Sequence, residues 1–248
     1  MRRQEAHKRQ GIFIAEGEKV VVRLLSSGLE VISLLATPQR HMNLGEDSPE
    51  DRCPVFLAEH SLIESIAGFR LHQGIMAIGR VPEEQSLTQI VQNQREPFLF
   101  AALDGIAHSE NVGNIVRNCA AFGVQAIVVG ETSCSPYLRR AVRNSMGGVF
   151  TVQVLHAKNL PESLQYLKRE YSASIIAAHP HTTATFESLQ IRGNTCVVFG
   201  SEDSGISEKV RNLVTHLVAI PMREGIDSLN VGSASAVVLY ELARKRRV

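Results

Sequence analysis

From residue 98 onward the sequence alternates short apolar runs with segments of helical periodicity, and this alternation limits the possible folds more than any other feature. Strand-like runs include FLFAALDG at 98–105, QAIVVG at 125–130 and TCVVFG at 195–200. Helix-like segments lie between them, as in NVGNIVRNCAAFG at 111–123. Strands that alternate with helices predict a parallel sheet covered by helices on both faces. We therefore expect an α/β catalytic or binding domain over residues 98–248.

The first third of the chain carries a shorter pattern of the same kind. GIFIAEG at 11–17 and HQGIMAIGRV at 72–81 are strand-like, and EKVVVRLLSSG at 18–28 is helix-like. These runs predict a small α/β domain over residues 1–81. The segment 82–97, PEEQSLTQIVQNQREP, is polar and bounded by prolines, which indicates a linker with room for one short helix.

Composition and hydropathy indicate a soluble globular protein. The chain has 248 residues, of which 44% are hydrophobic and 21% charged. No apolar run reaches the roughly 20 residues that a membrane span needs, and the charged N-terminus has no apolar core of the kind that follows in a signal peptide. We expect a cytoplasmic location and no membrane partner.

Cysteine spacing argues against a metal or disulfide framework. The four cysteines are far apart in the sequence, with no CxxC pair and no histidine at metal-ligand spacing. We therefore expect reduced, mostly buried thiols and no metal. The cysteines are Cys53, Cys119, Cys134 and Cys196.

The net charge of +1 requires any nucleic-acid-binding surface to be local. Three segments concentrate basic residues: Arg2, Arg3, Lys8 and Arg9; Arg139, Arg140 and Arg143; and Arg244, Lys245, Arg246 and Arg247. The last cluster is equally expected from cations that offset a helix dipole. Arg139 and Arg143 are four residues apart in a predicted helix, so they share a face that could line an RNA backbone groove or simply face solvent.

Three predicted loops at the carboxyl ends of strands are rich in glycine and small polar residues. They are DGIAHSENVGN at 104–114, GSEDSGIS at 200–207 and PMREGIDSLNVGSAS at 221–235. Ligands of open parallel sheets bind at this edge. Neither GxxxxGK[ST] nor GxGxxG occurs, which disfavours a nucleotide held by its phosphates. A lone glycine usually serves a turn, but this clustering fits a ligand held by loop backbone and small polar side chains, as S-adenosylmethionine would be.

Arg117 follows the first of these loops within the helix-like segment. A guanidinium at this position suits a two-point grip on phosphate, although a surface salt bridge is an equally ordinary role for such an arginine.

The three loops resemble motifs 1, 2 and 3 of the SpoU, or TrmH-like, RNA 2′-O-methyltransferases. The matching segments are NVGNIVRNCAAFG, FGSEDSGIS and IPMREGIDSLNVGSASAVVLYE, in the family's order and spacing. Upstream, EGEKVVVRLL and HQGIMAI are similar to the ribosomal-protein-like substrate-binding domain of the ribosomal RNA branch. The resemblance implies a SPOUT catalytic domain with a deep trefoil knot, an exception to the rule that chains are unknotted. It also implies S-adenosylmethionine as cofactor and a homodimer formed through the knotted domain.

The resemblance also implies roles for individual residues. The catalytic set is Asn111, Arg117, Glu202, Ser228 and Asn230, and the cofactor-binding set is Gly200, Ile220, Met222 and Leu229. RNSMGGVF at 143–150 resembles another family segment near the active site, which adds Ser145 to Arg139 and Arg143 as expected RNA-binding residues. The chain departs from the family in motif 2, with Ser201 where asparagine is usual and Asp203 where glycine is frequent.

We therefore predict transfer of a methyl group from S-adenosylmethionine to a ribose 2′-hydroxyl of RNA, with large-subunit (23S) ribosomal RNA preferred. Transfer RNA is an alternative substrate, although transfer-RNA members commonly lack the N-terminal domain. The departures in motif 2 leave a second alternative, a noncatalytic RNA-binding assembly factor. The family account makes the motif 1 arginine the general base, but arginine stays protonated in proteins. We expect Arg117 to grip phosphate and orient the hydroxyl instead.

Overall fold

The computed structural model describes residue 7 and residues 9–67, 73–179, 182–191, 193–223, 225 and 227–246. Of the basic residues considered above, Arg2, Arg3, Lys8 and Arg247 lie outside the described residues. The described chain forms two sheets, one on either side of the linker.

The N-terminal sheet has four strands in the order β1-β4-β2-β3. Strand β4 runs antiparallel to β1 and β2, and β3 runs parallel to β2. The strands are β1 Ile12–Glu16, β2 Val31–Ala36, β3 Val55–Leu57 and β4 Ile75–Arg80; the helices are α1 Glu18–Leu25, α2 Pro38–Leu44 and α3 His60–Ala67. Helix α2 was not predicted. It begins where the Thr37 hydroxyl accepts a hydrogen bond from the Arg40 amide and Pro38 occupies the first turn.

The C-terminal sheet has six strands, and every neighbouring pair is parallel, as predicted. Their order is β10-β8-β9-β5-β6-β7. The strands are β5 Leu99–Asp104, β6 Ala126–Val129, β7 Gln153–His156, β8 Ser174–Ala178, β9 Thr195–Gly200 and β10 His216–Val218. The helices are α4 Leu87–Gln92 in the linker, α5 Ser109–Ala121, α6 Arg139–Asn144, α7 Leu160–Tyr171, α8 Glu208–Arg211 and α9 Val231–Arg246.

Two predicted strands are shorter than the apolar runs suggested. The run at 149–155 becomes strand only from Gln153, because residues 148–150 form a 3-10 turn after Gly147, whose φ is +80°. The run at 217–221 pairs with β8 only as far as Val218. Ala219 then makes a single bridge to Thr185, and Pro221 has no amide proton with which to continue a ladder.

Helices cover both faces of the parallel sheet and separate its core into two layers. Strand β5 contributes Ala101 and Leu103 to the layer beneath α5, α6 and α9, and Phe100 and Ala102 to the layer beneath α7 and α8. The first layer continues into the N-terminal sheet through Phe13. Its ring lies 5.6 Å from that of Tyr137 and 5.4 Å from that of Phe150. Burial of these aromatic rings ties the two sheets together.

Among the described helices, none combines the length and apolar character needed to cross a membrane.

Candidate active site at the carboxyl edge of the parallel sheet

The three polar loops follow β5, β9 and β10, so they emerge at the same edge of the parallel sheet. Strands β5 and β9 are direct neighbours, with Asp104 paired to Gly200 at their ends. The first and second loops therefore begin side by side.

The first and third loops are joined by two asparagines. Asn230 Nδ2 donates a hydrogen bond to Asn111 Oδ1 at 3.1 Å. The other amide atom, Asn230 Oδ1, accepts from the Gly232 amide at 2.9 Å and so caps the first turn of α9. Cap geometry thus fixes which end of the Asn230 amide faces Asn111. The structure brings together these two residues of the predicted catalytic set.

Helices α5 and α9 are held together below this contact by polar groups that sequence reasoning did not single out. Asn118 Nδ2 donates to the Gly232 carbonyl oxygen and to Ser235 Oγ, both at 2.9 Å. Ser235 is fully buried. The sequence did carry a signal for this contact, because Ser235 interrupts the buried apolar stripe of α9 and a buried polar side chain requires a hydrogen-bond partner.

Arg117 projects from α5 into solvent. Its side chain makes no hydrogen bond or ion pair with any residue that the structure describes. The loop after α6 lies against its backbone, since a Cβ atom on Gly148 would be 3.4 Å from Arg117 Cα. The helix backbone is thus held in place while the guanidinium is available to a ligand.

The second loop is closed by its own backbone. Ser201 and Gly205 exchange two hydrogen bonds, of 3.0 and 2.9 Å. Gly200 is required here, because a Cβ atom at this position would lie 2.4 Å from the backbone of Gly205. The Ser201 hydroxyl accepts from the Asp203 amide at 3.3 Å, so both departures from the family pattern take part in the turn. Glu202 is exposed, and its carboxylate makes no hydrogen bond within the described part of the chain.

Asp104 anchors the far end of this loop and was missed by sequence reasoning. It is buried at the end of β5, and its Oδ2 accepts from the Ser207 amide at 2.6 Å. Ser207 is the residue that precedes α8. The available sequence signal was an aspartate at the end of an apolar strand, where a polar loop begins. A carboxylate buried there needs hydrogen-bond donors.

The third loop offers unpaired backbone donors beside apolar side chains. The amides of Ile220, Met222 and Leu229 make no hydrogen bond within the described residues. Ile220 packs on the core, Met222 is half-buried and Leu229 is 40% exposed. Free amides next to apolar surface fit a ligand with an adenosine group. Ser228 is exposed, and its hydroxyl likewise has no partner in the described part of the molecule.

The three expected RNA-binding residues make contacts within the protein, and their role in RNA binding stays a prediction. Arg139 Nε lies 2.6 Å from Glu16 Oε2, and Arg143 Nη1 lies 3.1 Å from Glu16 Oε1. The two arginines share a helix face that lies against the N-terminal sheet, although the Arg143 side chain is still 52% exposed. Ser145 is 1% exposed, and its hydroxyl donates to the Val142 carbonyl oxygen at 2.8 Å.

The cysteines are free thiols, and the Cys134 amide donates a hydrogen bond to the Ile106 carbonyl oxygen of the first loop. Cys119 and Cys196 are fully buried, and desolvation raises the pKa of Cys196 to about 12. Desolvation also raises the pKa of Cys134, which is half-buried, to about 11. All three are protonated at neutral pH and are poor nucleophiles.

Known proteins similar to this chain are RNA methyltransferases. The model of the SpoU rRNA Methylase family matches residues 99–240. An uncharacterised tRNA/rRNA methyltransferase of Mycobacterium tuberculosis is 34% identical over 98% of this chain and 84% of its own length. The 23S rRNA (guanosine-2′-O-)-methyltransferase RlmB of Acinetobacter baylyi is 30% identical over 76% of this chain and 77% of its own length.

A solved structure shares the whole fold. The SpoU methyltransferase AviRb of Streptomyces viridochromogenes, in complex with the cofactor AdoMet, aligns over 98% of this chain and 93% of its own with a TM-score of 0.83. The sequence identity is 23%, so this likeness concerns the fold alone.

Proposed function

The chain belongs to the SpoU rRNA methylase family, and from this membership we propose that it transfers the methyl group of S-adenosylmethionine to a ribose 2′-hydroxyl of 23S ribosomal RNA. The observation that carries the proposal is the hydrogen bond between Asn111 and Asn230. It joins the first turn of α5, the helix that also carries Arg117, to the residue that caps α9, at the edge where ligands of parallel sheets bind.

The cofactor would be held by the second and third loops. Gly200 lets the second loop fold tightly on itself, while Ile220, Met222 and Leu229 offer apolar surface and amides that make no hydrogen bond within the described part of the chain. When bound, S-adenosylmethionine supplies an electrophilic methyl group, and the reaction leaves S-adenosylhomocysteine and a 2′-O-methylribose.

The protein's contribution is mainly to position the hydroxyl. Arg117 grips an RNA phosphate through two guanidinium hydrogens and thereby places the adjacent ribose. The hydrogen bond from Asn230 orients the side-chain amide of Asn111 within the site. Glu202 and Ser228 are free to contact the ribose or its neighbours. Arginine remains protonated in proteins, so the hydroxyl proton passes to the phosphate or to water.

The N-terminal sheet serves this reaction as a substrate-binding domain. We propose residues 1–81 as this domain, 82–97 as the linker and 98–248 as the catalytic domain. The support is the presence of two separate sheets on either side of helix α4. RNA binding by two domains suits a large folded RNA, which favours ribosomal RNA over transfer RNA as the substrate.

The finer features of the fold and assembly are also proposals. A trefoil knot would be formed by the segment after β10, whose helix α9 packs on α5 and ends with Arg246 donating to the Gly193 carbonyl oxygen. A homodimer would use the exposed side chains of Val237 and Tyr240, three residues apart on α9. We place the enzyme in the cytoplasm, where it would meet ribosomal RNA.

The direct experiment is incubation of the purified protein with labelled S-adenosylmethionine and either unmodified 23S rRNA or bulk transfer RNA. Methyl incorporation into 23S rRNA is expected. Incorporation only into transfer RNA would change the substrate, and cofactor binding by calorimetry without incorporation into either RNA would refute the proposed enzyme.

Arg117→Lys tests the positioning role. The lysine keeps the charge but loses the planar fork, so we expect single-turnover methylation to fall about tenfold or more with unchanged cofactor binding. A rate equal to wild type would exclude a two-point contact by Arg117.

A further inference from the structure

We propose that Arg140 and the exposed face of helix α5 together form a binding surface for the phosphate backbone of the substrate RNA, an inference that rests on the proposed function. This α5 face consists of Glu110, Asn114 and Arg117, which are all exposed and are spaced at i, i+4 and i+7. The helical rise places its two ends about 10 Å apart. Arg117 lies at one end.

Close packing of α5 and α6 places Arg140 at the other end. A Cβ atom on Gly113 would lie only 2.6 Å from the Ala141 carbonyl oxygen, so the two helix backbones touch at this point. Arg140 immediately precedes Ala141, and its Nη1 lies 3.4 Å from Glu110 Oε1. The guanidinium therefore stands beside Glu110, in the first turn of α5.

Arg140 differs from the other two arginines of α6. Arg139 and Arg143 both bind the buried carboxylate of Glu16, although the Arg143 side chain is 52% exposed, whereas Arg140 is 66% exposed and its ion pair is with the exposed Glu110. Of the three arginines, Arg140 therefore has the most exposed side chain and the carboxylate partner that is more easily displaced.

Glu110 holds Arg140 only weakly, so RNA can displace it. Their contact is long, and the Glu110 side chain is 57% exposed. Exposed pairs of this kind contribute little to stability. Glu110 also lies in the first turn of α5, where the helix dipole continues to favour its negative charge after Arg140 has moved to a phosphate.

Arg117 and Arg140 would therefore bind successive parts of one RNA strand, with Asn114 between them. A guanidinium matches the geometry of a phosphate better than an ammonium does. Arg117 acts next to the reacting ribose. Arg140 contacts the backbone further along, so its contribution is to RNA affinity and not to the chemical step.

Arg140→Ala is the test, with Arg169→Ala as the matched control. Arg169 is 72% exposed and pairs with Glu170 at 2.6 Å, but it lies on α7, on the opposite face of the sheet. Filter binding to unmodified 23S rRNA is measured over a range of salt concentrations. We expect Arg140→Ala to raise Kd about fivefold and to reduce the slope of log K against log salt by about 1, and Arg169→Ala to change neither.

Two further readouts separate an RNA contact from a folding defect. In Arg140→Ala, calorimetry should show unchanged affinity for S-adenosylmethionine. Steady-state methylation should show a raised KM for RNA with kcat retained. An unchanged Kd and salt slope, or a loss equal to that of Arg169→Ala, would overturn the proposal.

The displacement step is tested by Glu110→Gln, with Glu170→Gln as control. Without the competing carboxylate, RNA binding should tighten about twofold to threefold, an order of magnitude set by the small energy of exposed ion pairs. In the Arg140→Ala background this gain should disappear. An equal gain in both backgrounds would show that Glu110 does not act through Arg140.

Wild-type protein that methylates no RNA would refute the proposed function itself, whereas active wild type with an unaffected Arg140→Ala variant would refute only this inference.

Discussion

At the scale of single residues, Asn230 connects the folding of a helix with the geometry of the site. One side of its amide caps α9, and the other holds Asn111 at 3.1 Å. The helix cap therefore determines which atom is presented to the first loop. The two roles of Asn230 can be separated by substitution, because aspartate also caps helices well but has no amide hydrogen to donate to Asn111.

Asn230→Asp should keep the stability of the wild type and lose activity. The cap survives, whereas Asn111 must turn its amide to face the new carboxylate. Asn230→Ala should lose both, with about 1 kcal/mol of stability removed along with the cap. Denaturant unfolding and single-turnover methylation separate the two effects. Wild-type activity in Asn230→Asp would show that the orientation of Asn111 is unimportant.

Cys134 should make stability depend on pH in the alkaline range. Desolvation raises its pKa from 9.0 to about 11, so the folded state favours the neutral thiol. Its contribution is fully present below pH 9 and is lost as the pH rises toward 11. Urea unfolding should show a steeper fall in the free energy of unfolding over this window for wild type than for Cys134→Ser. Parallel pH profiles for the two proteins would contradict the assignment.

At the scale of secondary-structure elements, the site depends on how closely helices approach one another. Gly113 allows the backbones of α5 and α6 to touch, which positions Arg140. Gly232 lies similarly close to Asn114, where α9 meets α5. The glycines of the two motifs therefore serve packing between helices as well as loop conformation.

Gly113→Ala should destabilise the protein by about 1 to 3 kcal/mol. Alanine favours a helix over glycine by about 1 kcal/mol, but its methyl group would lie 2.6 Å from a backbone oxygen and force α5 and α6 apart. Gly193→Ala is the control, because nothing lies within 4 Å of a Cβ atom there. Urea unfolding measures both. Equal stabilities would mean that the helices can separate without cost.

Periodicity predicted most elements but could not predict which way a helix face points. The parallel sheet and the linker helix follow from local patterns, and so do most element positions. Arg139 and Arg143 were correctly placed on one face. Their partner Glu16 is more than 120 residues away in the sequence, and only the packing of β1 against α6 brings it there. The same packing is what leaves Arg140 in solvent.

At the scale of the whole molecule, Glu16 fixes the N-terminal sheet against the C-terminal part of the chain. Its side chain is 6% exposed and binds two arginines. Nearby, Arg23 of α1 donates to the Met146 carbonyl oxygen, and Phe13 packs between two aromatic rings. These contacts hold the two sheets against each other in the structure.

Glu16→Gln should lower the free energy of unfolding by about 2 kcal/mol or more, because it leaves two guanidinium groups without their buried counter-charge. Glu30→Gln is the control. Its ion pair with Arg80 is exposed on both sides, and its loss should cost less than about 1 kcal/mol. Thermal or urea unfolding measures the difference. Equal losses in the two variants would show that the Glu16 contact does not hold the sheets together.

The central claim, methyl transfer to a ribose 2′-hydroxyl, is tested most directly by removing that one oxygen. The methylated nucleotide is first mapped in 23S rRNA treated with the enzyme and S-adenosylmethionine. A ligated RNA fragment is then prepared with a 2′-deoxy nucleotide at that position alone. We predict that methyl incorporation at this nucleotide is abolished while the unsubstituted fragment is modified normally. Continued incorporation at the 2′-deoxy nucleotide would mean that the enzyme methylates the base.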